Sequence, residues 1–112
     1  MLPSLDGRRF TPIARADAGE AGTDTVFEYN EDDGLVWARY GGGEIRLGFL
    51  VGLRDGERLD FRYSHVNGAG ETANGRCSSM ISLDEAGRLV LSETWSWESK
   101  PGHGTSVLRE SI

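Results

Sequence analysis

The sequence has little of several features that define large classes of protein. Cys77 is the only cysteine, so no disulfide can form within the chain. No apolar run approaches the ~20 residues that a transmembrane helix needs. The first residues also lack the basic segment followed by an apolar stretch that is typical of a signal peptide. These absences favour a cytoplasmic location.

Lysine is scarce as well, since Lys100 is the only one and the other basic residues are arginines. The formal net charge is −6 at pH 7, and the one visible basic cluster is Arg8-Arg9. Phosphate backbones and anionic membranes repel an acidic surface. We therefore expect neither nucleic acid nor membrane as a partner.

Glycine is abundant, with 16 in the chain against only 3 prolines, and it recurs in clusters that favour tight turns. Between these clusters lie short runs rich in β-branched and aromatic residues, which predict strands. No window of helical length has an apolar stripe with a helical period. Residues 14–23 are predicted to be a loop. The predicted strands are residues 7–13, 25–29, 35–40, 44–53, 59–66, 72–83, 88–97 and 105–112.

Sequential strands joined by short turns fit either a sandwich or an up-and-down barrel. The strictly sequential hairpins favour the barrel, because closure removes exposed sheet edges. We therefore predict a single all-β domain over residues 1–112, an antiparallel up-and-down barrel of about eight strands. A barrel of about eight strands encloses space for side chains or for one small ligand.

The fourth predicted strand decides which face points inward. Its odd positions are all apolar, whereas its even positions include Arg46, Gly48 and Gly52, so we place the odd positions inside. A three-residue turn over residues 55–57 would carry the same parity into the next strand. A slip of one residue in any turn would invert a strand. The predicted inward residues are Trp37, Arg39, Ile45, Leu47, Phe49, Val51, Leu53, Leu59, Phe61, Tyr63, His65, Cys77, Ser79, Ile81, Leu83, Leu89, Leu91, Glu93, Trp95 and Trp97.

The inward side chains change character along the strands. The fifth strand runs from apolar Leu59 to polar His65, and the seventh runs from Leu89 to Trp97. Because neighbouring strands are antiparallel, this predicts one apolar rim and one polar, aromatic rim. The apolar rim is a plug of Leu53, Leu59, Leu83 and Leu89. The polar rim collects Arg39, Ile45, His65, Ala73 and Trp97.

A barrel mouth with converging polar groups over an apolar floor is typical of a small-molecule pocket. Glu93 and His65 are also candidates for acid–base catalysis, although the prediction leans away from an enzyme. The predicted ligand-binding residues are Trp37, Arg39, Tyr63, His65, Glu93, Trp95 and Trp97.

Each candidate also has a structural interpretation. A buried carboxylate is costly unless it is paired, so Glu93 would form an ion pair with Arg39, or with Arg76 if the register slips. His65 would be a hydrogen-bonded residue at a strand end. The candidates for simple core packing are Cys77, Trp95 and Trp97.

No metal or cofactor is expected. The second histidine, His103, lies in a glycine-rich turn, and no spacing of ligand residues is typical of a metal site. The glycine clusters at residues 41–43 and 68–70 form hairpin turns and open no helix, so neither predicts a phosphate-binding loop.

Five segments, which together with the two ends span nearly the whole chain, carry a family resemblance. They are Phe27-Glu28-Tyr29, Val36-Trp37-Ala38-Arg39-Tyr40-Gly41-Gly42, Phe61-Arg62-Tyr63-Ser64-His65-Val66-Asn67, Gly75-Arg76-Cys77-Ser78-Ser79 and Glu93-Thr94-Trp95-Ser96-Trp97. They resemble a family of short bacterial proteins often labelled N-acetylglutamate synthase. That label implies acetyl transfer by an α/β protein with a glycine-rich loop at a helix start, which these motifs do not support. In layout the chain also resembles avidin-like and lipocalin-like barrels, which bind small molecules in the cup.

Three functions stay open. The main prediction is a barrel that binds an unknown small molecule. The second is a cofactor-independent enzyme in which Glu93 and His65 transfer protons while Arg39 or Tyr63 stabilises charge. The third is an interaction module, including a homo-oligomer, that uses an apolar strip on the outside. That strip is predicted to consist of Val36, Tyr40 and Leu50.

Overall fold

The computed structural model describes residues 2–14 and 19–111, so the ends of the predicted domain and residues 15–18 of the predicted loop lie outside the described residues. All regular structure in these ranges is β, which confirms the predicted fold class, and none of it is a helix that could cross a membrane. The strands are β1 (Arg8–Pro12), β2 (Val26–Asp32), β3 (Leu35–Gly42), β4 (Ile45–Asp55), β5 (Arg58–Asn67), β6 (Thr72–Leu83), β7 (Leu89–Trp97) and β8 (His103–Glu110).

The strands form one closed antiparallel barrel. Each strand pairs with the next along the chain, and β8 returns to pair with β1 through Phe10 and Glu110. The predicted up-and-down barrel is therefore confirmed. Closure gives every strand two neighbours and leaves no open sheet edge.

The turn between β4 and β5 has two residues instead of the three predicted. Asp55 pairs with Arg58, which leaves only residues 56–57 between the strands. Gly56 has a φ of 62°, and glycine with positive φ suits the first central position of a two-residue hairpin. Leu53 therefore pairs with Asp60 and not with Leu59. As a result, the even-numbered positions of β4, and not the odd-numbered ones, share a face with the inward residues of β5.

The inward face of β3 and most of β4 is consequently the opposite of the one predicted. Val36, Ala38 and Tyr40 of β3 are buried, as are Gly48 and Leu50 of β4. The predicted outer strip of Val36, Tyr40 and Leu50 is therefore wrong. The predicted inward orientation is wrong for Trp37, Arg39, Leu47, Phe49, Val51 and Leu53, which are all exposed. Ile45 stays inside because the register shifts between Ile45 and Leu47.

The inward faces of β5, β6 and β7 agree with the prediction. Tyr63 and Trp97, near the mouth, are half-buried. Leu83 is the exception, because it is 47% exposed at the end of β6. The buried residues on these faces are Leu59, Phe61, His65, Cys77, Ser79, Ile81, Leu89, Leu91, Glu93 and Trp95.

The apolar end of the barrel is closed by fewer strand leucines than predicted. Leu59 and Leu89 are fully buried, but Leu53 is 69% exposed and Leu83 is 47% exposed. The predicted plug is therefore wrong for half of its members. Leu5, which precedes β1, is also fully buried and packs in the core.

A buried ion pair holds the segment before β1 in place. Arg54 Nη1 donates to Glu31 Oε1 over 2.8 Å and to the carbonyl oxygen of Pro3 over 3.0 Å. The backbone N–H of Leu5 donates to the same Glu31 oxygen over 2.9 Å. The base of the barrel is thus sealed by a leucine from outside the sheet, fixed by an arginine–carboxylate pair.

Candidate functional site

The other half of the barrel encloses a cavity of about 70 Å³. One ordered water needs roughly 10–15 Å³ measured in this way, so the cavity has room for several waters or for a compact organic molecule. Its lining combines aromatic rings with a few polar groups, which is typical of a ligand pocket. The lining residues are Pro12, Gly19, Glu20, Ala21, Phe27, Tyr40, Ile45, Leu50, Phe61, Tyr63, His65, Cys77, Glu93, Trp95, Trp97, Ser106 and Leu108.

The structure brings most of the predicted ligand-binding residues to this cavity. Those that line it are Tyr63, His65, Glu93, Trp95 and Trp97. Trp37 and Arg39 lie on the outside of the barrel, so the prediction that they line the interior is wrong. That the five lining residues contact a ligand stays a prediction.

Glu93 is the deepest charged group of the lining. It lies on the inward face of β7 and is only 9% exposed. Ser106 Oγ donates a hydrogen bond to Glu93 Oε1 over 3.0 Å, and the Cys77 thiol forms a second hydrogen bond to the carboxylate. Burial raises the pKa of Glu93 to about 7, although both hydrogen bonds act to lower it. The carboxyl group can therefore exchange a proton near neutral pH.

The predicted ion pair of Glu93 is wrong. Arg39 and Arg76 are both exposed, because the residues directly before and after each of them in the chain point into the barrel. The carboxylate therefore has neutral partners. Burial, followed by the charge of Glu93, raises the pKa of the Cys77 thiol well above its ordinary value, so the thiol stays protonated and donates.

Two buried hydroxyl groups near Glu93 have no hydrogen-bond partner among the described residues, those of Tyr29 and Ser79. Ser79 is fully buried and lies directly opposite Glu93 in the β6–β7 pairing. Tyr29 is 1% exposed, and burial together with the charge of Glu93 raises its pKa well above the ordinary value. An unsatisfied buried polar group costs about 1–3 kcal/mol. Neither Tyr29 nor Ser79 is among the residues that line the cavity.

Aromatic rings form most of the remaining wall. Phe27 stacks on Tyr40 with ring centroids 4.6 Å apart. Trp95 and Trp97 meet edge to face at 5.6 Å, and Tyr63 meets Trp97 in the same way at 5.7 Å. These rings present both faces and edges to the cavity, which allows a planar or a positively charged molecule to bind.

A chain of hydrogen bonds crosses the mouth of the cavity. His65 Nε2 lies 2.7 Å from Glu20 Oε1, and His65 Nδ1 lies 3.0 Å from the Tyr40 hydroxyl. The ionised carboxylate can only accept, so Nε2 donates to Glu20. Asn67 Nδ2 and Lys100 Nζ both donate to Glu20 Oε2 over 3.3 Å. Glu20 thus fastens the loop before β2 to β5 and to the β7–β8 turn.

These bonds set the charge at the mouth. Burial alone would raise the pKa of Glu20, but the hydrogen bonds from His65, Asn67 and Lys100 outweigh it and lower that pKa. Glu20 is therefore a carboxylate whose charge is already compensated. Both ring nitrogens of His65 are engaged, which fits the structural interpretation of this residue. Acid–base catalysis by Glu93 and His65 stays a prediction.

Glu20, Tyr40 and Ser106 are lining residues that were not predicted. Glu20 lies in the loop before β2, where no periodic pattern fixes the direction of a side chain. Ser106 lies on the last strand, whose register the sequence left undefined. Tyr40 was predicted to lie on the outside, together with Val36 of the same strand. Its glycine partner on β4 was the one signal in the sequence that could have identified it.

The described residues contain no cluster of three or more His, Cys, Asp or Glu side chains arranged to hold a metal ion.

Comparison with known proteins identifies one family. No curated protein and no solved structure matches the chain. The family model described as avidin-like protein matches residues 3–111, a range that includes all eight strands. The chain belongs to the avidin-like family.

Proposed function

We propose that this protein binds a small molecule inside its barrel. The observation that carries the proposal is Glu93, a buried carboxyl group without a cationic partner that lines a cavity with a largely aromatic wall. A core that served only stability would gain from replacing such groups with apolar ones. The avidin-like barrel supports the same function.

The proposal is tested by screening a metabolite library with tryptophan fluorescence and thermal shift. Biotin, which members of the avidin-like family bind, is one of the probes. Trp97→Ala should weaken the hits at least about fivefold, because one aromatic contact contributes ~1 kcal/mol or more. Trp37→Ala is the matched control, since it removes the same side chain from the outer surface.

Two results would contradict interior binding. One is a library without any hit at millimolar concentration. The other is a set of hits that Trp37→Ala weakens and that Trp97→Ala and Trp95→Ala leave unchanged.

A second function, self-association, is favoured by the outer face of β3 and β4. Neighbouring apolar side chains there are paired across the strands, Leu35 with Leu53 and Trp37 with Val51. Monomeric proteins rarely expose contiguous apolar patches of this kind without a partner. The members of this outer apolar face and their exposed fractions are Leu35 44%, Trp37 41%, Phe49 56%, Val51 56% and Leu53 69%.

A second copy of the chain is the partner that we propose for the outer apolar face. Two-fold symmetry about an axis along the strands brings the β2 side of one copy against the β5 side of the other. Such a dimer buries the apolar residues of both copies at its centre.

A further inference from the structure

The charge of the cavity is carried by acidic groups. Among the residues that line it, Glu20 and Glu93 are the carboxylates, and the described lining includes no lysine or arginine. The interior therefore disfavours an anionic ligand, whose charge would meet the Glu93 carboxylate at low dielectric.

The two carboxylates differ in how far their charge is compensated. Glu20 accepts hydrogen bonds from His65, Asn67 and Lys100 at the mouth. Glu93 has only the neutral hydroxyl of Ser106 and the neutral thiol of Cys77. A buried carboxylate without a cationic partner is costly, so the position beside Glu93 is where a positive charge would be stabilised most.

The walls of the cavity also suit a cation. The face of a tryptophan, tyrosine or phenylalanine ring attracts a positive charge within about 6 Å of its centroid. Trp97 already holds one cation in this way, because Lys100 Nζ lies 4.7 Å from the centroid of the Trp97 ring. Trp95, Tyr63 and Phe61 line the same cavity as Glu93 and offer further rings.

We propose that the cavity binds a protonated organic amine of about one small ring in size, with its ammonium group beside Glu93. This inference rests on the proposed function and specifies its ligand class. The ammonium N–H groups donate to the Glu93 carboxylate, and the hydroxyl oxygen of Ser106, which lines the cavity beside Glu93, is a further acceptor. The apolar part of the amine packs against the aromatic wall.

The affinity for an amine should depend on pH through Glu93. The titratable groups that face Glu93 are Cys77 of β6 and Tyr29, Tyr40 and Tyr63 of β2, β3 and β5, and burial raises the pKa of all four, so they stay neutral. With a pKa of about 7, Glu93 is ionised in about one molecule in ten at pH 6 and in about nine in ten at pH 8. Binding of the ammonium should therefore strengthen about tenfold over this range.

The test is a set of probes that share one ring and differ in charge: cyclopentylammonium, cyclopentanol and cyclopentanecarboxylate. Isothermal titration calorimetry on the wild-type protein at about pH 8 should show the ammonium binding at least about tenfold more tightly than the other two. Glu93→Gln should remove this preference and the pH dependence, although His65 is still present. Glu28→Gln, which alters an exposed carboxylate, should leave both unchanged.

The outcomes separate this inference from the proposed function. If the alcohol or the carboxylate binds as tightly as the ammonium, the amine class is wrong and interior binding stands. If none of the three binds at millimolar concentration, the amine class is also wrong, and the metabolite screen alone decides on interior binding. The comparison of the three probes uses the wild-type protein, so it tests the amine class even if Glu93→Gln does not fold.

Discussion

Tyr40 and Gly48 face each other across β3 and β4, and the ring of Tyr40 fills the space that a Cβ at Gly48 would need. In the same way, the indole of Trp95 covers Gly104, its partner on β8. Glycine in a strand often marks the close approach of another group. The aromatic lining of the cavity therefore depends on inward-facing glycines. Gly75 and Tyr63 form another pair of this type, whereas Gly52 lies against the backbone and Cβ of Phe61.

Substitution of Gly104 should disturb the cavity wall. A Cβ at this position would lie 2.7 Å from Trp95 Cζ2, which is closer than a real contact. We expect Gly104→Ala to displace the indole and to lower the free energy of unfolding by about 1–3 kcal/mol, measured by urea denaturation and near-ultraviolet circular dichroism. Gly22→Ala is the control, since a Cβ there meets nothing within 4 Å. Equal effects of the two substitutions would contradict the argument.

The glycine pairs also explain why the sequence predicted the wrong face of β4. Gly48 and Gly52 have no apolar side chain, so they counted as outward positions. Alternation identifies the core face only when the other face is polar, and on β4 the other face carries Phe49 and Val51, which are exposed. The sequence does not distinguish an apolar face that packs in the core from one that faces outward.

Prediction succeeded where only one face of a strand is apolar. On β5 the inward residues include Leu59 and Phe61, and the outward ones include Asp60 and Arg62, so the pattern has one interpretation. The patterns of β5 and β7 therefore predicted correctly that Glu93 lies in the barrel interior. The position of Glu20 was beyond prediction, because its direction follows from contacts that the loop makes with distant strands.

The unusual ionisation of Glu93 should appear in the pH dependence of stability. Its pKa is about 7 in the folded protein and 4.5 ordinarily. Between these values the folded protein keeps a proton that the unfolded chain has lost, so stability falls as the pH rises through this window and is constant above it. The loss is about 3 kcal/mol. Glu93→Gln should remove it.

Urea denaturation at about pH 5 and about pH 8 measures this effect. Other acidic residues also titrate, so the relevant quantity is the difference in unfolding free energy between wild type and variant. Glu28→Gln, at an exposed position, should keep the wild-type dependence. A wild-type protein and a Glu93→Gln variant with parallel pH profiles would show that Glu93 ionises normally.

The ion pair at the base of the barrel should contribute more to stability than one on the surface. The side chains of Arg54 and Glu31 are 9% and 15% exposed, whereas those of Arg58 and Asp60 are 61% and 57% exposed. Arg54→Ala leaves the Glu31 carboxylate buried without its cation, which should cost about 3 kcal/mol. Arg58→Ala should have little effect on stability, because solvent screens an exposed pair. Urea denaturation of both variants checks the difference, and similar losses would disprove it.

Self-association should depend on the outer apolar face of β3 and β4. Phe49 is 56% exposed at this face, so Phe49→Glu places a charge where two copies would pack and should raise the dimer dissociation constant at least about tenfold. Met80→Glu is the matched control, because Met80 is 48% exposed on β6, away from that face. Sedimentation velocity over a range of concentrations distinguishes the variants. A wild-type protein that stays monomeric at high concentration would refute the proposed dimer, as would equal dissociation of both variants.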